Sequence, residues 1–226
     1  MSLNARLALF AVVLFAAGAG LFACPQLDMT VSGFFYDGQG FLWREGPVAN
    51  FFHDLVHPVS LGLTVLFVLG LGYSFYKKLP VRIPLFLLFS LIIGPGLITN
   101  TLLKDNWGRA RPMQIVEFGG TQHFTPPLLM ADQCDHNCSF VGGDAAFGYW
   151  FSAFGYVVPR RRRTVFWSGM SIGLGYSLLR IGMGAHFLSD VFFAGIVILL
   201  SNAGIYAALS GRAALRQRWG EFLGGQ

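Results

Sequence analysis

Six apolar runs, at about 7–23, 56–76, 83–103, 140–158, 165–179 and 187–209, alternate with polar stretches along the chain. A helix that crosses a bilayer needs about 20 such residues and satisfies its own backbone hydrogen bonds in lipid, as an open sheet cannot. The pattern therefore predicts an all-α polytopic membrane protein, a six-transmembrane-helix bundle over residues 1–226 whose fifth span is the shortest. Gly94-Pro95-Gly96 inside the third run predicts a kink that neighbouring helices can tolerate. Three polar clusters stand out, each where a run begins or ends. They are Lys104, Arg109, Arg111 and Pro112; then Cys138 through Ser139, Gly142 and Gly143 to Asp144; then Arg180, His186 and Asp190.

Composition agrees with the pattern: 54% of residues are hydrophobic and 12% charged, against about 25% charged in soluble domains. Orientation follows from the basic residues, which are retained at the cytoplasmic ends of spans. Six spans put Arg6, the Lys77–Arg82 turn, the four arginines at 160–163 and the tail with Arg212, Arg216 and Arg218 on one side, eleven of the sixteen Lys and Arg. That side is expected to be cytoplasmic, with both termini on it, in the inner membrane of a bacterium. Of the five basic residues left on the other side, four belong to the polar clusters, and every Asp and Glu except Glu221 lies there too. Cations kept on an acidic face suggest anion binding. The net charge of +5 is accounted for by topology anchors, so no nucleic-acid partner is expected.

The first run, followed by Leu21-Phe22-Ala23-Cys24, could be read as a cleaved leader, but Phe22 and Pro25 suit a cleavage box poorly, so it is kept as a span. Cys24 is expected to be a small buried apolar residue. Residues 25–47, rich in Gly, Asp and aromatics, suit the headgroup level. His53 and His57 are four apart, a possible metal-ligand spacing; without further ligands nearby, an interfacial helix start bent at Pro58 is the preferred reading. Residues 104–138 form a loop far longer than ordinary connections, expected to be an ordered cover over a site. Cys134 and Cys138 lie in it, and a disulfide across that spacing requires a sharp turn; the sequence leaves this open.

The clusters carry a coherent chemistry. Lys104 offers a point charge and Arg111 a planar fork, two complementary ways of holding a phosphate. Arg109, two residues from Arg111, is expected to point elsewhere, toward lipid headgroups. Gly142 and Gly143 open the fourth span and let backbone N–H groups approach an anion, although a plain N-cap by Asp144 would look the same. His186 and Asp190, four apart on a helix, place the carboxylate where it can hold one imidazole nitrogen and leave the other as a nucleophile. Arg180 supplies a second guanidinium.

Together, Lys104 with Arg111-Pro112 six residues on, Ser139-Phe140 leading into a glycine-containing helix start, and Arg180, His186 and Asp190 at their spacing resemble the type 2 phosphatidic acid phosphatase (PAP2) superfamily. The stretch from Asp28 to Tyr36 and the long loop look similar to bacterial members acting on lipid A or related envelope lipids. The resemblance implies attack by His186 on phosphorus to give a phosphohistidine, Asp190 orienting it, with Lys104, Arg111 and Arg180 holding the phosphoryl oxygens and no metal or cofactor. The departure is the second motif, where the family has Pro-Ser-Gly-His and this chain has Val141-Gly142-Gly143-Asp144. The usual acid is thus replaced by Asp144, with His123 and His136 of the loop as alternative proton donors.

The expected function is a membrane lipid phosphatase with a periplasmic active site. Its substrate would be a membrane lipid phosphate whose leaving group needs little acid assistance, such as lipid A 1-phosphate or a polyprenyl diphosphate. A lipid phosphotransferase and a catalytically silent lipid-phosphate binder are the alternatives.

Overall fold

A computed structural model describes residues 2–224, and every regular element among them is a helix. In chain order these are α1 (Leu3–Ala23), α2 (Gln26–Gly33), α3 (Pro47–Tyr76), α4 (Arg82–Leu91) running into a π-helical segment (Ile92–Lys104), α5 (Gly143–Trp150), α6 (Phe154–Val157), α7 (Arg162–Gly182), α8 (Leu188–Ser210) and α9 (Arg212–Phe222). A 3-10 turn (Phe151–Ala153) joins α5 to α6. Four helices are long and apolar enough to cross a bilayer: α1, α3, α4 with its π extension, and α8.

The remaining two apolar runs fold differently from expectation. α7 is 21 residues long rather than the shortest, while the fourth run is broken into α5, the turn and α6. The cause lies in their contact. Gly169, Gly173 and Ser177 recur every fourth residue on α7 and are all buried. Such a small-residue stripe lowers apparent hydropathy but lets backbones approach closely. A Cβ on Gly169 would fall 2.2 Å from the Ser152 nitrogen, and one on Gly173 would meet the Tyr149 ring at 2.1 Å. Gly173→Leu should therefore cost about 2–3 kcal/mol by overpacking, read as a lower unfolding midpoint in detergent micelles; an unchanged midpoint would deny that this crossing is tight.

All eight residues of α5 are buried, with Trp150 at the centre donating its indole N–H to Ser90 Oγ at 2.9 Å. α1 and α3 lie outside, presenting Val12, Phe15, Leu61, Val65 and Leu69 outward, as lipid-facing helices do. The kink expected at Gly94-Pro95-Gly96 appears as π winding through the whole segment. Proline lacks the N–H and crowds the carbonyl four residues back, so the ladder is re-registered rather than broken. Cys24 is exposed, not buried; it caps α1 at the rim of the bundle, where no neighbour covers it.

The segments between spans are ordered. α2 packs its Asp28 and Ser32 inward. Phe41 then lies on Gly184, whose φ of +67° and ring contact leave no room for a side chain. In the long loop Cys134 and Cys138 form a disulfide, and Ile115 and Phe124 pack with Phe187 at the head of α8.

Candidate active site

The geometry begins with His186, which is fully buried just before α8. Its Nδ1 lies 2.8 Å from the Ser139 carbonyl oxygen. A carbonyl can only accept, so Nδ1 carries the proton and Nε2 keeps its lone pair. Nε2 has no hydrogen-bond partner although it is buried. Burial pushes the ring down to about 4; Asp190 opposes this, and the charges of Lys104, Arg111 and Arg180 add to it. The imidazole is therefore neutral at neutral pH.

Asp190 is not the direct holder of that ring. Its Oδ2 stands 3.9 Å from His186 Nδ1 and accepts instead from Ser139 Oγ at 2.6 Å and the Phe187 N–H at 2.8 Å. The carboxylate thus fixes Ser139, whose backbone oxygen fixes the imidazole. An α-helical (i, i+4) pair was expected to touch, but His186 precedes the helix and its ring turns toward Ser139.

Arg109 is the larger correction. Rather than reaching headgroups it is completely buried, bonding Asp190 Oδ1 at 2.5 Å, Asp28 Oδ2 at 2.8 Å, Ser189 Oγ at 2.9 Å and the Thr125 carbonyl at 2.8 Å. Its guanidinium also lies 4.4 Å from the Phe187 ring centroid. Arg109 enters the core while Arg111, two residues on, donates to the Asn137 carbonyl at 2.7 Å and its Oδ1 at 3.1 Å. Asp28, contributed by α2, also accepts the Ser189 N–H at 2.8 Å.

The π segment delivers Lys104 and Asn100 to the start of α5. A Cβ on Gly143 would lie 2.6 Å from Asn100 Oδ1 and 3.3 Å from Lys104 Nζ, so a side chain there would displace Asn100. Gly142 was expected to offer its N–H to an anion, but that group donates to the Asp190 carbonyl at 3.2 Å. Of the two glycines, Gly143 is the one left at the helix start, where first-turn N–H groups have no intrahelical acceptor.

Asp144 and Arg180 form an ion pair, Oδ2 to Nε at 3.1 Å. The same Oδ2 lies 2.6 Å from His53 Nδ1. His53 belongs to α3 and was singled out in the sequence only for its spacing to His57; no local pattern pairs it with a residue 91 positions away. The loop histidines are elsewhere: His136 pairs with Asp105 at 3.0 Å and is largely exposed, and the His123 N–H meets Gln133. Among the described residues neither bonds any member of the His186 cluster. A cavity of about 470 Å³ adjoins the site, lined by Val56, Ser60 and Thr64 of α3, Pro95 and Asn100, and Gly143 and Asp144.

A neutral buried imidazole with a free lone pair, faced by three cations, is suited to attack phosphorus while the cations take up the phosphoryl charge. Residues 83–212 match the PAP2 superfamily, and the chain belongs to that family; it is a phosphatase. More particularly, it is 36% identical over 207 residues to the lipid A 4'-phosphatase of Francisella tularensis subsp. novicida, covering 88% of this chain and 93% of that protein. It is 39% identical over 121 residues to the lipid A 4'-phosphatase of Rhizobium leguminosarum, covering 53% of this chain and 50% of the relative. No solved structure matches.

Proposed function

We propose that this phosphatase removes a phosphate from lipid A at the periplasmic face of a bacterial inner membrane, through a phosphohistidine on His186. The observation that carries the reading is the unpartnered, fully buried Nε2 of His186, in a ring fixed by Ser139 and surrounded by Lys104, Arg111 and Arg180. In this reading the cations grip the phosphoryl oxygens, Gly143 lets its backbone N–H approach them, and Asp190 positions the nucleophile through Ser139.

The relatives' names favour the 4'-phosphate of lipid A over the 1-phosphate or a polyprenyl diphosphate. Six spans, formed by α1, α3, α4 with its π extension, α5 with α6, α7 and α8, fit both the apolar runs and the position of the termini. Arg216 of α9 bonds Asn4 at the head of α1, and Trp219 lies 5.5 Å from Phe10. Both ends therefore sit together, as an even number of spans requires. Arg162 pairs with Glu221 in the same region, so the basic turn belongs to the terminal face, opposite His186.

The test is phosphate release by the purified protein in micelles from lipid A, phosphatidylglycerol phosphate, phosphatidic acid and undecaprenyl diphosphate. Mass spectrometry of the lipid A product should show loss of the 4'-phosphate, with Arg111→Ala reducing the rate at least about 100-fold, as loss of one charge-stabilising donor does. Release from another lipid, with lipid A untouched, would overturn the substrate assignment.

A further inference from the structure

We infer that His53 is the catalytic acid and base of this site, with Asp144 as its positioning residue; the inference rests on the phosphatase reading above. A 4'-phosphate is an ester of an ordinary ring alcohol, and its departing oxygen needs a proton. In this reading Lys104, Arg111 and Arg180 are engaged by the phosphoryl oxygens. The His186 Nδ1 proton is held by Ser139, and Asp144 accepts from His53 while pairing with Arg180, so both its contacts treat it as a carboxylate. His53 differs from all of these. Its Nδ1 is anchored on Asp144 at 2.6 Å, its side chain is 42% exposed, and its other nitrogen faces away from that anchor.

The position fits the path of the lipid. Val56, Ser60 and Thr64 follow His53 at i+3, i+7 and i+11 on one face of α3, and all three line the cavity that Gly143 and Asp144 also line. A lipid lying in that cavity would meet Gly143 and Asp144, the second of which carries His53 at 2.6 Å. The charged and titratable groups bearing on His53 from neighbouring helices are Asp144 of α5 with Arg180 of α7, and Tyr176 of α7, whose hydroxyl donates to the Phe52 carbonyl at 3.3 Å.

The steps balance. His186 Nε2 donates its lone pair to phosphorus, the bond from phosphorus to the leaving oxygen breaks, and that oxygen takes the Nε2 proton of the His53 imidazolium to leave as an alcohol. Neutral His53 then accepts a proton from water as the water oxygen bonds phosphorus. The phosphorus–nitrogen bond breaks, its electron pair returns to His186, and inorganic phosphate departs. Asp144 holds the His53 ring through Nδ1 throughout.

The experiment compares matched long-chain alkyl and nitrophenyl phosphates in micelles, with wild type, His53→Gln, His57→Gln, Asp144→Asn and His186→Ala. His53→Gln should lower kcat on the alkyl ester by about 10²–10³-fold, the ordinary worth of a general acid, and the first turnover of the nitrophenyl ester by less than about 10-fold, leaving a burst of one nitrophenolate per enzyme because the second step lacks its base. His57→Gln, one turn further along α3, should match wild type. Asp144→Asn removes the anchor of the His53 ring, so its loss on the alkyl ester should exceed its loss in the first turnover of the nitrophenyl ester, and it should add little to His53→Gln in the double variant. Equal losses in the first turnover of the two esters in His53→Gln, with the unfolding midpoint retained, would overturn the assignment of His53 while leaving the phosphatase intact. Absence of His186-dependent release by wild type from either ester and from lipid A would instead remove the reading on which it rests.

Discussion

His186→Gln should abolish turnover, with kcat falling on the order of 10⁵-fold, as removal of a nucleophile does elsewhere. Glutamine can still donate to the Ser139 carbonyl, so the pocket should persist, and binding of a lipid phosphate should weaken far less than kcat because Lys104, Arg111 and Arg180 remain. Wild type rapidly quenched with labelled substrate should carry a phosphoramidate, stable in alkali and lost in acid; His186→Gln should carry none. The pH dependence has a definite sign. Burial holds the imidazole at about 4, below the ordinary 6.5, so the nucleophile is neutral above pH 5 and its protonation should suppress labelling only as pH approaches 4. Loss of labelling centred near 6.5 would mean that His186 is as solvated as a free imidazole, contrary to its burial.

The charged residues that gather near His186 were legible because their chemistry is rare in an apolar chain. Lys104, Arg111, Arg180, His186 and Asp144 each stand at the end of an apolar run, and the structure gathers them at one end of α5, α7 and the π segment. The six runs likewise anticipated the long helices, but not that α5 would be short and wholly enclosed, since hydropathy does not distinguish a lipid-facing residue from one facing another helix. What stayed hidden depends on pairing across the fold. His53 advertised a neighbour four residues away and found its partner on α5. Arg109 and Arg111 look alike in sequence, yet one reaches a buried carboxylate pair and the other the loop at Asn137. Asp28 gave no sign, before α2 was placed, that it would close the pair from outside the matched family region.

Arg109→Met should destabilise the protein by about 3–5 kcal/mol, the usual result of removing one partner from a buried ion pair, and should also slow turnover in the fraction that remains folded. The change strands Asp28 and Asp190, both essentially inaccessible, and frees Asp190 to release Ser139, whose carbonyl orients His186. Arg109→Lys should not rescue it, because one ammonium cannot span Asp28, Asp190, Ser189 and the Thr125 carbonyl as the guanidinium fork does. Asp28→Asn should be much milder. Burial pushes the Asp28 carboxyl up, against the pull of Arg109, so its charged form is already disfavoured; with a folded value above the unfolded one, its contribution to stability declines as pH rises through that window. Neutralising it leaves Arg109 and Asp190 as a one-to-one pair. Unfolding midpoints in micelles should therefore fall on the order of 10 °C for Arg109→Met and only slightly for Asp28→Asn. The reverse order would mean that Asp28, and not the pairing of Arg109 with Asp190, carries the network that holds Ser139 and, through it, His186.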